Sequence, residues 1–394
     1  MPKVVPKGLR SFDADDADFF LQLLPGATDR DGLPESLRFW KRRIEQTDPD
    51  QTFAVGLIYG PSGSGKTSLV KAGLLPRLES HVLPVYLEAT SGDTELRLVK
   101  ALRKQCPDLS PGDLVEMLAS LRRGRGLPPR HKVLIVLDQF EQWLHRHRDD
   151  EATELVRALR QCDGAHVQCI VMVRDDFWMS ASRFMDSLEI SLVQGENSAA
   201  VDLFDARHAR KVLALFGRAL GCLPATGELA AENELFLDRA VAELADDGKL
   251  VSVRLALFAE MVKGKPWTPA TLKRIGGTAG VGVTFLEETF SASTAPPRHR
   301  PHQQAASSVL KALLPESGAD IKGRRRSADE LMEASGYERR PDDFAELLRI
   351  LDGELRLVTP VDEGDREQVT GDSRKETIRN PQSEIRNYQL THDY

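Results

Sequence analysis

The stretch Gly60-Pro61-Ser62-Gly63-Ser64-Gly65-Lys66-Thr67 decides the fold of this 394-residue chain. It satisfies the pattern G-x-x-x-x-G-K-[ST] in full, and it lies between the apolar run 53–59 and a helix-like run that begins at Ser68. A buried strand that enters such a loop and a helix that leaves it form the P-loop motif. Residues 60–68 are therefore predicted to bind phosphate through backbone N–H groups and the helix dipole. Lys66 is expected to contact the β- and γ-phosphates, and Thr67 is expected to hold Mg²⁺.

A second motif is the apolar run Val133-Leu134-Ile135-Val136-Leu137, which ends at Asp138. This pattern is typical of a parallel strand that is buried on both faces. It predicts a Walker B element, in which Asp138 binds Mg²⁺ through a water molecule. Glu141 is the nearest second carboxylate and is a candidate to orient or deprotonate the attacking water. The equally open alternative is an ordinary acidic residue at a helix N-terminus.

The apolar run 167–173 predicts another strand, which ends at Arg174. We expect this strand to lie between the P-loop strand and the Walker B strand, so that Arg174 points at the γ-phosphate as a sensor. Arginine suits that role because its planar guanidinium can make two hydrogen bonds to a phosphate and stays charged. The alternative is a salt bridge to Asp175 or Asp176, and we favour the sensor.

The fold class predicted from these patterns is an α/β P-loop NTPase with a parallel sheet of the AAA+-like type, followed by an all-α helical domain and a winged-helix domain. Residues 1–50 form a lead-in that packs on the nucleotide domain, which spans 51–200. Residues 201–292 carry helical periodicity without strands. Residues 293–394 begin with a Pro-rich basic linker and continue as three helices and a two-stranded wing, with a disordered loop inserted at about 362–387.

Composition restricts the class of protein further. A net charge of −7, with 29% charged residues, argues against a polycation that binds nucleic acid along its whole length. The 4 cysteines form no C-x-x-C pair, so neither a zinc site nor a disulfide framework is predicted, and a reducing cytoplasm fits best. No apolar run approaches the roughly twenty residues of a membrane span. We therefore expect a cytoplasmic location, no membrane partner and no nucleic-acid partner.

Five motifs, in this order, resemble the STAND class of signal-transduction NTPases, and most closely the novel STAND ATPase cores of large bacterial signalling proteins. They are Gly8-Leu9-Arg10-Ser11-Phe12-Asp13 with Phe19-Phe20, the P-loop followed by Leu69-Val70-Lys71-Ala72-Gly73-Leu74-Leu75-Pro76, Asp138-Gln139-Phe140-Glu141, Val173-Arg174-Asp175-Asp176-Phe177, and Leu390-Thr391-His392-Asp393. The resemblance covers nearly the whole chain. It implies ATP and ADP as nucleotides, and it implies that His392, with Asp393 beside it, contacts the β-phosphate in a closed, ADP-bound state.

Two features depart from the family pattern. Leu21-Gln22-Leu23-Leu24 follows the double Phe, where relatives usually carry a Gly-Arg-Glu box that packs on the adenine. The preference for ATP over GTP is thus implied by the family alone. Relatives also continue into sensor repeats and often begin with an effector domain. We therefore expect a bare switch core, with effector and sensor modules in a longer parent protein or supplied in trans.

The leading hypothesis is a nucleotide-operated signalling switch that hydrolyses ATP slowly and forms a homo-oligomer on activation. In this hypothesis Lys66 and Arg174 stabilise charge on the γ-phosphate, and Glu141 positions water. One alternative is an AAA+ initiator-like ATPase that binds DNA through its winged helix, although Asp342 and Asp343 at the start of the recognition-type helix would repel phosphates. Another alternative is a scaffold that binds nucleotide without hydrolysing it.

Overall fold

The computed structural model describes residues 11–362, with gaps at 31, 91, 148–152, 278–285, 288, 292, 294, 314–325 and 356, and residues 386–390. Residue contacts divide the chain into two compact units. Among the described residues, one unit comprises Ser11–Leu215 and Ala245–Arg254, and the other comprises Phe216–Leu244 and the residues from Leu255 onward. The unit that contains the P-loop thus includes two stretches, 201–215 and 245–254, that the sequence analysis assigns to the helical domain.

The first unit is built on a five-stranded sheet in the order β2-β3-β4-β1-β5, and every neighbouring pair is parallel. The strands are β1 (Val55–Gly60), β2 (Val82–Glu88), β3 (Lys132–Asp138), β4 (Val167–Arg174) and β5 (Ser198–Ala200). Residues of β3 are buried along its whole length, as its apolar composition predicts. Because β4 lies between β1 and β3, the carboxyl ends of these three strands meet at one edge of the sheet.

The helices of this unit begin with the lead-in. They are α1 (Ala17–Leu23), α2 (Glu35–Glu45), α3 (Lys66–Ser68), α4 (Thr94–Gln105), α5 (Leu114–Arg122), α6 (Glu141–Arg146), α7 (Glu154–Leu159), α8 (Trp178–Ser187) and the start of α9 (Ala206–Ala219). After α3 the helix continues in π-helical geometry over Leu69–Leu74. This helical segment ends in a 3-10 turn at Leu75–Arg77. Two short antiparallel strands, β6 (Phe204–Asp205) and β7 (Lys249–Leu250), correct the expectation that strands end before residue 202. Pairs of two residues are too short to show a period in the sequence.

The lead-in packs against the helix that follows the P-loop. A Cβ atom at Gly73 would lie 2.9 Å from the side chain of Leu37 and 3.2 Å from that of Phe20, so a larger residue there would displace both. Arg77 joins the same elements, because its guanidinium donates hydrogen bonds to the carbonyl oxygens of Ala72 and Ala17, each at 2.7 Å. The lead-in is therefore tied to the nucleotide domain by both apolar and polar contacts.

Among the described residues, the second unit contains the rest of α9, the part of α11 that follows Arg254, and other helices. They are α10 (Ala231–Leu244), α11 (Ser252–Met261), α12 (Pro269–Arg274), α13 (Gln303–Leu313), α14 (Ala328–Ser335) and α15 (Pro341–Leu348). This unit also has three strands, β8 (Arg326–Ser327), β9 (Val358–Asp362) and β10 (Arg386–Leu390). They form one sheet in the order β8-β10-β9. The sequence analysis predicts the β9-β10 hairpin but not β8. Most of the predicted inserted loop, residues 363–385, lies outside the described residues.

No helix in the described part of either unit combines the length and the apolar character that crossing a membrane requires.

A buried lysine at the amino end of β3 makes hydrogen bonds to two other segments of the chain. The side chain of Lys132 is fully buried, and its ammonium donates hydrogen bonds to the carbonyl oxygens of Gln46, at 2.8 Å, and of Gly164. Burial lowers the pKa of Lys132 from 10.5 to about 8, although the carboxylate of Asp163 opposes the shift. This contact joins the end of the lead-in to β3 and to the turn before β4.

This pKa predicts how stability depends on pH. Between about pH 8 and pH 10.5 the folded protein binds fewer protons at Lys132 than the unfolded chain does. The contribution of Lys132 to the free energy of unfolding therefore increases as pH rises through this window. The gain is at most about 1.4 kcal/mol per pH unit. Urea unfolding of the wild type and of Lys132→Met across this window should show the difference between them growing in favour of the wild type. A constant difference would contradict the assignment.

Candidate nucleotide-binding site

The loop after β1 can be formed only by glycine at its critical positions. Gly60, Gly63 and Gly65 all have positive φ, at 154°, 70° and 98°. A Cβ atom at Gly60 would lie 2.1 Å from the carbonyl oxygen of Val201, and one at Gly63 would lie 2.5 Å from the side chain of Val251. Backbone angle and close approach therefore both require the glycines of the pattern.

Lys66 begins α3 and turns its ammonium back over the loop. The ammonium donates hydrogen bonds to the carbonyl oxygens of Gly60, at 2.7 Å, and Pro61, at 2.9 Å. These are neutral partners for a charged group that is largely removed from water. An anion placed at the loop would be a stronger partner for this group than either carbonyl.

The charges of the predicted site residues converge on Lys66. Burial is the largest influence and lowers the pKa of Lys66, the carboxylates of Glu141, Asp138 and Asp175 raise it, and the guanidinium of Arg174 lowers it. The fold thus brings together four residues that sequence reasoning assigned to one site, Lys66, Asp138, Glu141 and Arg174.

Asp138 ends β3 with a carboxylate that is only 2% exposed. Two hydroxyl groups donate hydrogen bonds to its Oδ2 atom, those of Thr67 at 2.6 Å and Tyr86 at 2.5 Å. The N–H group of Gln139 donates to Oδ1 at 2.7 Å, and a left-handed φ of 53° at Gln139 accompanies this turn. The carboxylate therefore connects the P-loop helix, β2 and β3.

The donor set fits a nucleotide with a hard cation. Because Thr67 directs its hydroxyl proton at Asp138, its oxygen lone pairs remain available as ligands. A hydroxyl oxygen beside a carboxylate suits Mg²⁺, which prefers oxygen ligands and keeps several waters. The backbone of residues 60–68 would hold the phosphates, and Thr67 and Asp138 would hold the ion.

The position of Glu141 is compatible with both readings that the sequence leaves open. It lies in the first turn of α6, as the ordinary acidic residue of a helix N-terminus would. It is also 6% exposed and is the carboxylate with the largest charge effect on the pKa of Lys66. Glu141 can therefore stand at the start of α6 and near Lys66 of the phosphate loop at the same time. The role of Glu141 in orienting water stays a prediction.

Arg174 makes the contact that the sequence analysis gave as its alternative. It ends β4 in register with Gly60 of β1, but its guanidinium donates two hydrogen bonds to Asp176, from Nε at 3.0 Å and from Nη2 at 2.6 Å. This bidentate ion pair uses two of the five N–H donors of the guanidinium. The sensor role of Arg174 stays a prediction.

Three contacts at the loop were not predicted. Ser68, assigned to phosphate binding, accepts a hydrogen bond from the backbone N–H of Phe12 at 3.1 Å. Ser252 donates to the carbonyl oxygen of Gly63 at 2.7 Å, and Tyr86 donates to Asp138. No motif marks Tyr86 or Ser252, because each acts across a long sequence separation. His392 and Asp393 lie outside the described residues, so their predicted phosphate contact stays a prediction.

A P-loop that leads from β1 into α3, beside a buried aspartate at the end of β3, defines the chain as a P-loop NTPase. The sequence from residue 7 to residue 393 matches the family described as Novel STAND NTPase 1. Since the match spans almost the whole chain, the protein belongs to this family of NTPases, as the sequence motifs predict. No curated protein shows a significant match.

Three of the solved structures that match the chain have TM-scores below 0.5. The Walker-type ATPase of Pyrococcus abyssi is 14% identical, with coverage of 94% of this chain and 97% of that chain and a TM-score of 0.43. ORC2 of Aeropyrum pernix, in ADPNP and ADP complexes, is 14% identical over 94% and 93%, with a TM-score of 0.42. Drosophila ORC bound to DNA is 15% identical over 90% of each chain, with a TM-score of 0.42. These values are low, so the family assignment rests on the sequence match.

Ser68 and Ser64 provide a matched pair for testing the loop. Both side chains are buried, but the Ser68 hydroxyl has the Phe12 partner, whereas that of Ser64 has no hydrogen-bond partner among the described residues. Ser68→Ala should lower the free energy of unfolding by about 1 kcal/mol, because it removes the hydrogen bond that the Ser68 hydroxyl accepts from the Phe12 N–H group.

Ser64→Ala removes a hydroxyl that contributes no contact, so the nucleotide-free protein should lose no stability. Denaturant unfolding of both variants without nucleotide measures the comparison. Equal losses in the two variants would refute the assignment of the Ser68 hydroxyl to the lead-in.

Proposed function

We propose that this NTPase is a nucleotide-operated signalling switch that binds ATP and ADP with Mg²⁺ and hydrolyses ATP slowly. The observation that carries the proposal is the hydrogen bond between Thr67 and Asp138, at 2.6 Å. It joins the phosphate loop to the end of β3 and leaves the Thr67 oxygen available to a cation. When bound, Mg²⁺ would neutralise phosphate charge at this point.

Three side chains of the site would act on the phosphates and the attacking water. Lys66 would exchange the carbonyl oxygens of Gly60 and Pro61 for a phosphate. Arg174 would contact the γ-phosphate, either beside its ion pair with Asp176 or in exchange for it. Glu141 would accept a hydrogen bond from the attacking water and so orient it.

A contact on the far side of the loop supports the switch. Ser252 donates to the carbonyl of Gly63, and Val251 lies against the same glycine. Both residues lie in the stretch Ala245–Arg254, and the chain leaves the P-loop unit directly afterwards, at Leu255. Phosphate binding that moves Gly63 would therefore displace Ser252, the first residue of α11. For a switch, the nucleotides must differ in affinity for the two states by a few kcal/mol.

We also infer that the segment from α13 to β10 is a winged helix. Its elements follow the order α13, β8, α14, α15, β9 and β10, and the sheet order β8-β10-β9 places the last strand in the middle. This architecture keeps DNA binding as the second candidate function. The first turn of α15 carries Asp342 and Asp343, which disfavours that candidate because phosphates would be repelled.

The proposal includes cytoplasmic location and homo-oligomerisation in the ATP state, with effector and sensor modules in a longer parent protein or in trans. Sizing of the purified chain with ADP and with a non-hydrolysable ATP analogue tests it. We expect a larger assembly with the ATP analogue only. Lys66→Ala, which loses the phosphate-binding ammonium, should stay at the ADP size in both. Identical elution of the wild type in both nucleotides would overturn the switch.

Hydrolysis has its own test. Single-turnover ATP hydrolysis should be slower in Glu141→Gln by about 10²- to 10⁴-fold, the usual contribution of a general base. Nucleotide affinity should be retained, because glutamine has the size and the hydrogen-bonding oxygen of glutamate. If wild type and variant hydrolyse at the same rate, the role of Glu141 is wrong. If neither hydrolyses ATP but both bind it, the chain is a nucleotide-binding scaffold.

A further inference from the structure

Tyr86 lies on β2, on a strand that carries no motif residue. Its hydroxyl donates a hydrogen bond of 2.5 Å to Oδ2 of Asp138, the same oxygen that accepts from Thr67. The parallel register pairs Tyr86 with Val136 and Glu88 with Asp138, so Tyr86 reaches the carboxylate diagonally across two neighbouring strands.

A second set of contacts holds the Tyr86 ring in place. The ammonium of Lys71 lies 4.5 Å from the centre of the ring and 3.6 Å from a carboxylate oxygen of Glu88. Lys71 belongs to the π-helical stretch Leu69–Leu74 that follows the phosphate loop. A cation over the ring face is an attractive interaction that fixes the ring and hence the direction of the hydroxyl.

The hydrogen bonds to Asp138 leave little room for another partner. A carboxylate offers about four acceptor positions, two on each oxygen. Tyr86 and Thr67 occupy both positions on Oδ2, and the N–H of Gln139 occupies one on Oδ1. With the described residues alone, one position remains on Oδ1, which is enough for a hydrogen bond from a metal-bound water or for a single metal bond but not for bidentate ligation.

We propose that Tyr86 is a positioning residue that sets the cation preference of the nucleotide site, by excluding bidentate ligation through Asp138. Mg²⁺ loses water reluctantly and is satisfied by a water-mediated contact, whereas Ca²⁺ takes six to eight oxygen ligands, which include bidentate carboxylates. Tyr86 therefore favours Mg²⁺ over Ca²⁺. This inference rests on the proposed binding of nucleotide with Mg²⁺, and it adds a residue and a selectivity to that site.

The test measures cation selectivity through binding instead of turnover. A fluorescent, non-hydrolysable ATP analogue is titrated onto the full chain at increasing MgCl₂ or CaCl₂, and the half-saturating concentration of each cation is compared. In Tyr86→Phe, Oδ2 gains a free acceptor position and the carboxylate loses one support. We expect the ratio of half-saturating Ca²⁺ to Mg²⁺ to fall on the order of tenfold, the usual scale for removal of a group that supports a metal ligand.

Tyr59→Phe is the matched control. Tyr59 lies on β1 of the same sheet, which β3 and β4 separate from β2, and its hydroxyl donates to Gln194 at 3.2 Å and not to Asp138. This variant should keep the cation ratio of the wild type. Lys71→Met provides a second variant that leaves Tyr86 itself intact, and it should shift the ratio in the same direction by a smaller factor, since only the support of the ring is lost.

The outcomes separate the two proposals. A wild-type ratio in Tyr86→Phe, with nucleotide still bound, would overturn the inference and leave the proposed function standing. An equal fall in Tyr59→Phe would also overturn it, because the effect would then be a general response of the sheet. If the wild type binds the ATP analogue with neither cation, the proposed function fails and this inference fails with it.

Discussion

The structure depends on one buried carboxylate. Asp138 is almost completely removed from water, and an ionised group in such a place is costly unless it is hydrogen-bonded. Its three donors come from the P-loop helix, from β2 and from the turn after β3. The charge is therefore stable only when these elements are in register, so the requirement to compensate one aspartate also assembles the site.

The basic groups of the site are satisfied internally as well. Lys66 bonds to carbonyl oxygens of its own loop, and Arg174 is paired with Asp176. A phosphate that took over these donors would replace contacts that already exist. Such replacement links ligand binding to a change of side-chain partners, which is what an equilibrium between two states requires.

The sequence predicts the parts of the site that are local in the chain. The residues from Gly60 to Thr67 form one turn, and Asp138 follows one apolar strand, so their positions can be deduced from pattern alone. Arg174 could be placed at the end of the correct strand, but whether it contacts a phosphate or Asp176 depends on side-chain energetics that a pattern does not carry. The structure shows the pair with Asp176, and the phosphate contact that we favoured stays a prediction. Tyr86 and Ser252 could not be predicted, because their roles depend on strand register and on a return of the chain from far along the sequence.

The order of strands in the sheet has a consequence for how the protein is made. β1 carries the phosphate loop and lies between β4 and β5, which are the last two strands of the sheet to be synthesised. During translation the phosphate loop is therefore synthesised long before β4 and β5, the two strands that pair with β1. The strands β2 and β3, which do not pair with β1, are synthesised in between. Domains generally fold as units as the chain leaves the ribosome. The nucleotide site can thus form only when the sheet is complete. A chain interrupted before β4 would contain the whole loop motif but neither of the strands that pair with β1.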